Sequence, residues 1–226
     1  MELNHADPQY QKAMSHYLAG EWAAAETAFG ELRSADPDNT FFLLILGNIR
    51  YSLGKLEDAI ATYREATAIN PKFGIAFYKL GVCLYRMGRL DEALDAFSAV
   101  VAMGSESHAM AGYFVGLIQF FLGKDEAAAA GFAAFRKTSR ESLIANFYLA
   151  QLKIKHKAYG EALDLLTELA EATPDFAEVY YMLGVAHYGL HNNLEAIKSL
   201  QRAVELNPED ERARTKLTLL TDVQWP

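Results

Sequence analysis

The sequence predicts an all-α protein made of stacked helical hairpins, and three regularities carry that prediction. Gly20, Gly54, Gly88 and Gly123 are separated by 34, 34 and 35 residues, and the frame continues to Lys157 and His191 in steps of 34. Five residues beyond each stands an alanine: Ala25, Ala59, Ala93, Ala128, Ala162 and Ala196. With 36 alanines in 226 residues, six in register by chance is on the order of one in 10⁵, so the period is built into the chain. Around these marks apolar residues recur at spacings of three and four, the period of a helix face buried on one side.

The frame divides the chain into units 6–39, 40–73, 74–108, 109–142, 143–176 and 177–210. Each reads as two amphipathic helices joined at the turn column, since glycine accepts the backbone conformation that ends a helix and turns the chain. In 40–73, Leu43, Leu46, Gly47 and Ile49 form the first apolar face, and Ala59, Ile60, Tyr63, Ala66 and Ile69 the second. Pro37, Pro71, Pro174 and Pro208 stop the second helices, because proline lacks the N–H that would continue them. The eighth residue of each unit is small: Ala13, Gly47, Gly81, Gly116, Ala150 and Gly184. Together with the alanine column it allows the two axes of a hairpin to approach closely.

Residues 1–5 are left as an N-terminal tail. Asp7 before Pro8 has the form of an N-cap with proline at the first helical position. Residues 211–226 comprise a capping helix and a C-terminal tail, with Ala213, Leu217 and Leu220 packing inward and Arg212, Arg214 and Lys216 facing water. The expectation is an array that, with its cap, fills this sequence without a further folded domain.

The segments YKLGVCLYRMGRLDEALDAFSAVV (78–101) and YYMLGVAHYGLHNNLEAIKSLQRAVELNPED (180–210) resemble tetratricopeptide repeats. The resemblance covers almost the whole chain. It implies a right-handed α-solenoid of six helix-turn-helix hairpins plus a C-terminal capping helix, with first helices lining a concave face and second helices covering the outside. The family frame also favours a hydrophobe two residues past the turn glycine. Trp22, Leu56, Leu90 and Tyr159 follow it, whereas Asp125 and Asn193 depart from it.

Composition narrows the function classes. Lys plus Arg number 21 and Asp plus Glu 29, a net charge of −8, so the chain lacks the positive field that draws nucleic acid or an anionic membrane surface. No apolar run approaches the ~20 residues of a spanning helix, and no signal peptide is seen, which predicts a cytoplasmic protein without membrane insertion. The lone Cys83 beside Gly81 reads as a core thiol. His187 and His191 stand four apart, but His191 occupies the turn column, so no metal site is expected. Gly54-Lys55, Gly88-Arg89 and Gly123-Lys124 lack phosphate-loop spacing and fall at the turns. No catalytic set, metal or cofactor is expected. The Lys153-Ile-Lys-His-Lys157 cluster reads as cations complementing the end of a helix dipole, with Lys155 as an anchor for acidic residues of a partner as the alternative.

The predicted site lies on the first helices, whose fifth and twelfth residues share one stripe. It is aromatic: Tyr10 and Tyr17, Leu44 and Tyr51, Tyr78 and Tyr85, Tyr113 and Phe120, Phe147 and Ile154, Tyr181 and Tyr188. In relatives that grip a peptide carboxylate, the resemblance implies asparagines at the ninth position. Here only Asn48 fits, among Met14, Val82, Leu117 and Val185. The expectation is an apolar groove lined by Tyr51, Tyr78, Lys79, Val82, Tyr85, Arg86, Met110, Tyr113, Leu117, Phe120, Phe121 and Phe147. It would receive an apolar or aromatic peptide or helix of a protein partner, with Lys79 and Arg86 orienting an acidic flank. The competing expectation is self-association through the same surface.

Overall fold

A computed structural model describes residues 7–104, 109–139 and 143–222; the expected tails at 1–5 and 223–226 lie outside them. The described residues form thirteen helices and no strand: α1 (Pro8–Leu18), α2 (Trp22–Ala35), α3 (Thr40–Ser52), α4 (Leu56–Ile69), α5 (Gly74–Arg86), α6 (Leu90–Ala102), α7 (Met110–Phe121), α8 (Asp125–Thr138), α9 (Leu143–Lys155), α10 (Tyr159–Ala172), α11 (Ala177–Gly189), α12 (Asn193–Leu206) and α13 (Glu211–Thr221). Along the chain twelve of them alternate as first and second helices of the repeat frame, and α13 packs on α12.

The chain divides into two compact units, the first ending at Ile118 and the second beginning at Gln119, within α7. In the first unit α1 to α6 each pack on the next. The second repeats this from α8 to α13, with α9 also touching α11. Such pairing follows from amphipathic hairpins, each of which has to bury its apolar stripe on its neighbours.

Local chemistry sets the helix limits. The Asp7 carboxylate accepts the Gln9 N–H at 2.8 Å, with Pro8 opening α1. Asn39 caps α3 by accepting from Phe41 and Phe42, and Asp210 caps α13 by accepting from Arg212 and Ala213. The turn glycines Gly20, Gly54, Gly88 and Gly123 have φ between 70° and 75°. Beyond them the chain donates back into the helix just finished: Lys55 N–H to the Arg50 carbonyl and Arg89 N–H to the Leu84 carbonyl, both at 2.9 Å. Lys157 and His191 hold the same left-handed conformation at φ 60° and 61°, which costs a residue with a Cβ about 1–2 kcal/mol.

All six alanines of the repeat column have no exposed surface. The small residue of the first helix meets a large side chain of the second. A Cβ placed on Gly81 would stand 2.8 Å from the Phe97 ring, and one on Gly184 would stand 2.6 Å from Leu200. At Gly47, Gly81 and Gly184 the glycine makes room for a large side chain sixteen positions later. That column, Phe29, Tyr63, Phe97, Phe132, Leu166 and Leu200, is almost wholly buried. The alanine lies one helical turn earlier on the same face, so it flanks this contact and does not close it.

The cap differs in part from expectation. Ala213 is buried and Leu217 and Leu220 are half-buried. Arg212 does not simply face water: it pairs with Glu178 at 2.6 Å and Asp210 at 2.8 Å, and its guanidinium lies over the Tyr181 ring at 4.6 Å. Lys216 covers Tyr188 in the same way at 5.3 Å.

Candidate functional site

The expected groove residues divide between the two units. Tyr51, Tyr78, Lys79, Val82, Tyr85, Arg86, Met110, Tyr113 and Leu117 belong to the first, and Phe120, Phe121 and Phe147 to the second.

In the first unit a recess of about 280 Å³ opens between α1, α3, α4 and α5, lined by Tyr17, Asn48, Tyr51, Ser52, Tyr63, Lys79 and Val82. Its origin lies in the repeat register. At the corresponding places further along the chain, the buried ring of a second helix stacks on an aromatic side chain of the next first helix. Phe97 stacks on Phe114 with centroids 4.6 Å apart, and Phe132 on Tyr148 at 4.9 Å. After Tyr63 the aromatic partner is missing, because the equivalent residue on α5 is Lys79. A flexible cation stands where a ring would fill the space, and the wall stays open.

Hydroxyl, amide and ammonium groups therefore line the hollow together with the tyrosine rings and Val82. The Tyr63 hydroxyl donates to Asn48 Oδ1 at 2.8 Å, and burial drives its pKa upward from the ordinary tyrosine value. Asn48 thus has its carbonyl committed to the fold. Arg86 lies over the Tyr51 ring, 4.9 Å from its centroid. Neither Lys79 nor Arg86 is in an ion pair with a described carboxylate, whereas Arg33, Arg50, Lys55, Arg64 and Arg89 of this unit all are.

Packing decides how much each expected residue presents. Tyr78 is half-buried against Phe97 and Phe114, and Tyr85 stands edge-on to Phe114 at 5.4 Å. Tyr113 and Leu117, expected as open groove residues, are only 9% and 5% exposed and belong to the core. Tyr113 is turned against its neighbour Phe114, whose ring is itself held by Phe97. Met110 is exposed.

In the second unit Phe120 packs edge-on to Tyr148 at 5.3 Å, and Phe147 stacks on Phe176 at 5.5 Å. Phe121 and Phe176 are 59% and 45% exposed. Ser52 and Tyr63 of the first-unit recess, and Phe176 here, were absent from the sequence-derived set, and Tyr17 stood in the aromatic stripe but outside the expected groove. The pairing of Phe97 with Phe114 and of Phe132 with Tyr148 at matched repeat positions is the signal that would have marked the gap at Lys79.

The other singled-out residues have local explanations. Lys153 pairs with Glu161, while Lys155 and His156 both hold Asp125, tying the end of α9 to the start of α8. Asp125, one of the two departures from the family frame, thereby gains a carboxylate pKa held below its usual range by hydrogen bonds from Lys155 and His156. His187 lies on α11 and His191 beyond its end in the left-handed turn. Cys83 is 1% exposed, and burial pushes its thiol up to about 11, so the reactive thiolate is disfavoured.

Comparison with known proteins agrees with this architecture. Models described as TPR repeat or tetratricopeptide repeat match residues 47–88, 153–220, and 9–39 with 75–102. The small glutamine-rich tetratricopeptide repeat-containing protein 2 of Mycosarcoma maydis is 33% identical over 86 residues, 38% of this chain. A TPR repeat-containing protein of Methanocaldococcus jannaschii is 24% identical over 164 residues, 73% of this chain. The matched segments span 24% of each of these relatives. Among solved structures, YrrB, described as a TPR protein with an unusual peptide-binding site, is similar with a TM-score of 0.75 at 21% identity, covering 83% of this chain and 96% of that one. PilF of Pseudomonas aeruginosa is similar with a TM-score of 0.69 at 16% identity, covering 92% and 95%. No described helix is long and apolar enough to cross a membrane.

Proposed function

We propose that this chain, a tetratricopeptide repeat protein, is a non-enzymatic, cytoplasmic interaction scaffold that holds a segment of a partner protein against its first helices. The observation that carries the reading is the recess at Lys79. Tyr17, Tyr51 and Val82 supply contact area there, and Lys79 and Arg86 bring positive charge that no described carboxylate neutralises. Tyrosine suits such a surface because it combines a large contact area with few torsions and a polar tip. The partner segment is apolar or aromatic with an acidic flank, its side chain entering the hollow and its carboxylates meeting Lys79 and Arg86.

The test is selection of peptides from a displayed random library on the full chain, followed by affinity measurement against variants. Tyr51→Ala with Tyr85→Ala, and separately Lys79→Glu, should weaken the selected peptides at least tenfold, about 1.4 kcal/mol, with unchanged helical circular dichroism. These residues serve better than Tyr113, whose truncation would hollow the core. Equal binding by wild type and both variants would remove the site. A second reading, self-association, draws on the exposed Phe121 and Phe176. A light-scattering mass of one chain at tens of micromolar would exclude it.

A further inference from the structure

A second recess lies in the second unit, between α8, α9 and α10. It has a volume of about 540 Å³ and is lined by Ala133, Arg136 and Lys137 of α8, Leu149 of α9 and Glu168 of α10. Its counterpart lies 103 residues earlier, three repeats of 34, 35 and 34 residues. There Gly30, Arg33 and Ser34 of α2 and Leu46 of α3 bound a recess of about 270 Å³, and Glu65 of α4 takes the place of Glu168.

In the earlier copy the walls are joined. Arg33 grips both oxygens of Glu65 at 2.6 Å. Glu26 adds a second link, receiving Arg50 at 3.4 Å and Lys55 at 2.7 Å. In the later copy Ala129 replaces Glu26, so Lys153, at the register of Arg50, pairs with Glu161 of its own repeat instead. Arg136 and Glu168 keep the residue types of Arg33 and Glu65 yet form no ion pair. Lys137 likewise has no ion-pair partner among the described residues, and all three side chains are exposed.

We propose that this opened recess docks a helix of a partner protein bearing a large apolar side chain beside acidic residues. Ala133 and Leu149 form a floor for the apolar side chain. Arg136 and Lys137 form one wall for the carboxylates, and Glu168 opposite excludes a further acid on that side. The helical form of the ligand follows from α8 itself: Ala127, Ala130, Ala133 and Ala134 are exposed, so a second helix can approach its axis without meeting long side chains. The inner recess at Lys79 plays no part in this site.

The probe is a displayed library of helical peptides roughly 18 residues long, enough to hold helical structure, with a central leucine and Glu, Gln or Lys randomised around it. Sorting on the full chain should enrich Glu over Lys on one flank of the leucine. Selected peptides should lose at least tenfold in affinity on Arg136→Glu with Lys137→Glu. They should lose as much on Ala133→Trp, which fills the recess from an exposed position, and on Ala129→Glu, which restores the carboxylate of the closed copy. They should bind Lys79→Glu as they bind wild type, which separates this site from the inner one. Selected peptides without charge bias, or bound equally by Ala133→Trp, would overturn the proposal. So would a wild-type dimer that Arg136→Glu with Lys137→Glu dissolves, since the occupant would then be a second copy.

Discussion

Phe97 and Phe114 stack with their ring planes 5° apart, and Phe132 and Tyr148 repeat the same stack, 35 and 34 residues on, again at 5°. In each case the buried ring of a second helix meets the next first helix, so the contact is a unit of repeat-to-repeat cohesion. Where α5 carries Lys79 the stack is interrupted, and a recess lies in its place.

Removing a stack should be costly and restoring one helpful. Phe97→Ala should lose about 3–5 kcal/mol, the range for a buried phenylalanine. Lys79→Phe, which offers Tyr63 a ring, should gain about 0.5–1.5 kcal/mol while abolishing peptide binding at the recess. Urea melts followed by circular dichroism measure both, and a destabilising Lys79→Phe would show that the hollow has no room for a ring.

Lys157 and His191 occupy turns where glycine stands in four other repeats, at φ 60° and 61°. Lys157→Gly and His191→Gly should each raise stability by about 1 kcal/mol, the left-handed penalty of a Cβ less the greater freedom glycine gives the unfolded chain. Gly54→Ala should act in the opposite sense. Thermal melts of the three variants check the sign, and a loss on Lys157→Gly would mean that the lysine side chain stabilises the turn.

Gly81→Ala should destabilise by about 1–3 kcal/mol through overpacking, because its Cβ would meet the Phe97 ring at 2.8 Å. Much of that loss should disappear in the background of Phe97→Leu, a smaller side chain already used at the same column by Leu166 and Leu200. A double-mutant cycle yields the coupling. Additive losses would place the strain elsewhere.

Acid should weaken the link between the first two repeats. The hydrogen bond from Lys55, with help from Arg50, holds the Glu26 carboxyl below its reference value of 4.5. A carboxylate with a depressed folded-state pKa adds stability that is complete above its unfolded value and is lost as pH falls through the folded one. The stability curve of wild type should therefore fall more steeply below about pH 4.5 than that of Glu26→Gln, with the reference set by the same linkage. Parallel acid limbs would show that the ion pair contributes nothing measurable.

Much of this molecule is legible along the chain, because helix formation and hairpin turning depend on neighbours three to five residues apart. The 34-residue period, the alanine column, the turn glycines, the stop prolines and the Asp7 cap all record such local demands, and thirteen helices follow from them. Contacts between repeats depend on side chains some 16 to 34 residues apart and on which of two neighbours reaches a shared space first. Only the tertiary structure therefore decided that Tyr113 and Leu117 lie in the core, that Lys79 leaves a hollow beside Tyr63, and that Arg136 and Glu168 face each other unjoined while Arg33 and Glu65 close. The repeat supplies the same register each time, and packing against different neighbours gives each register position its own fate.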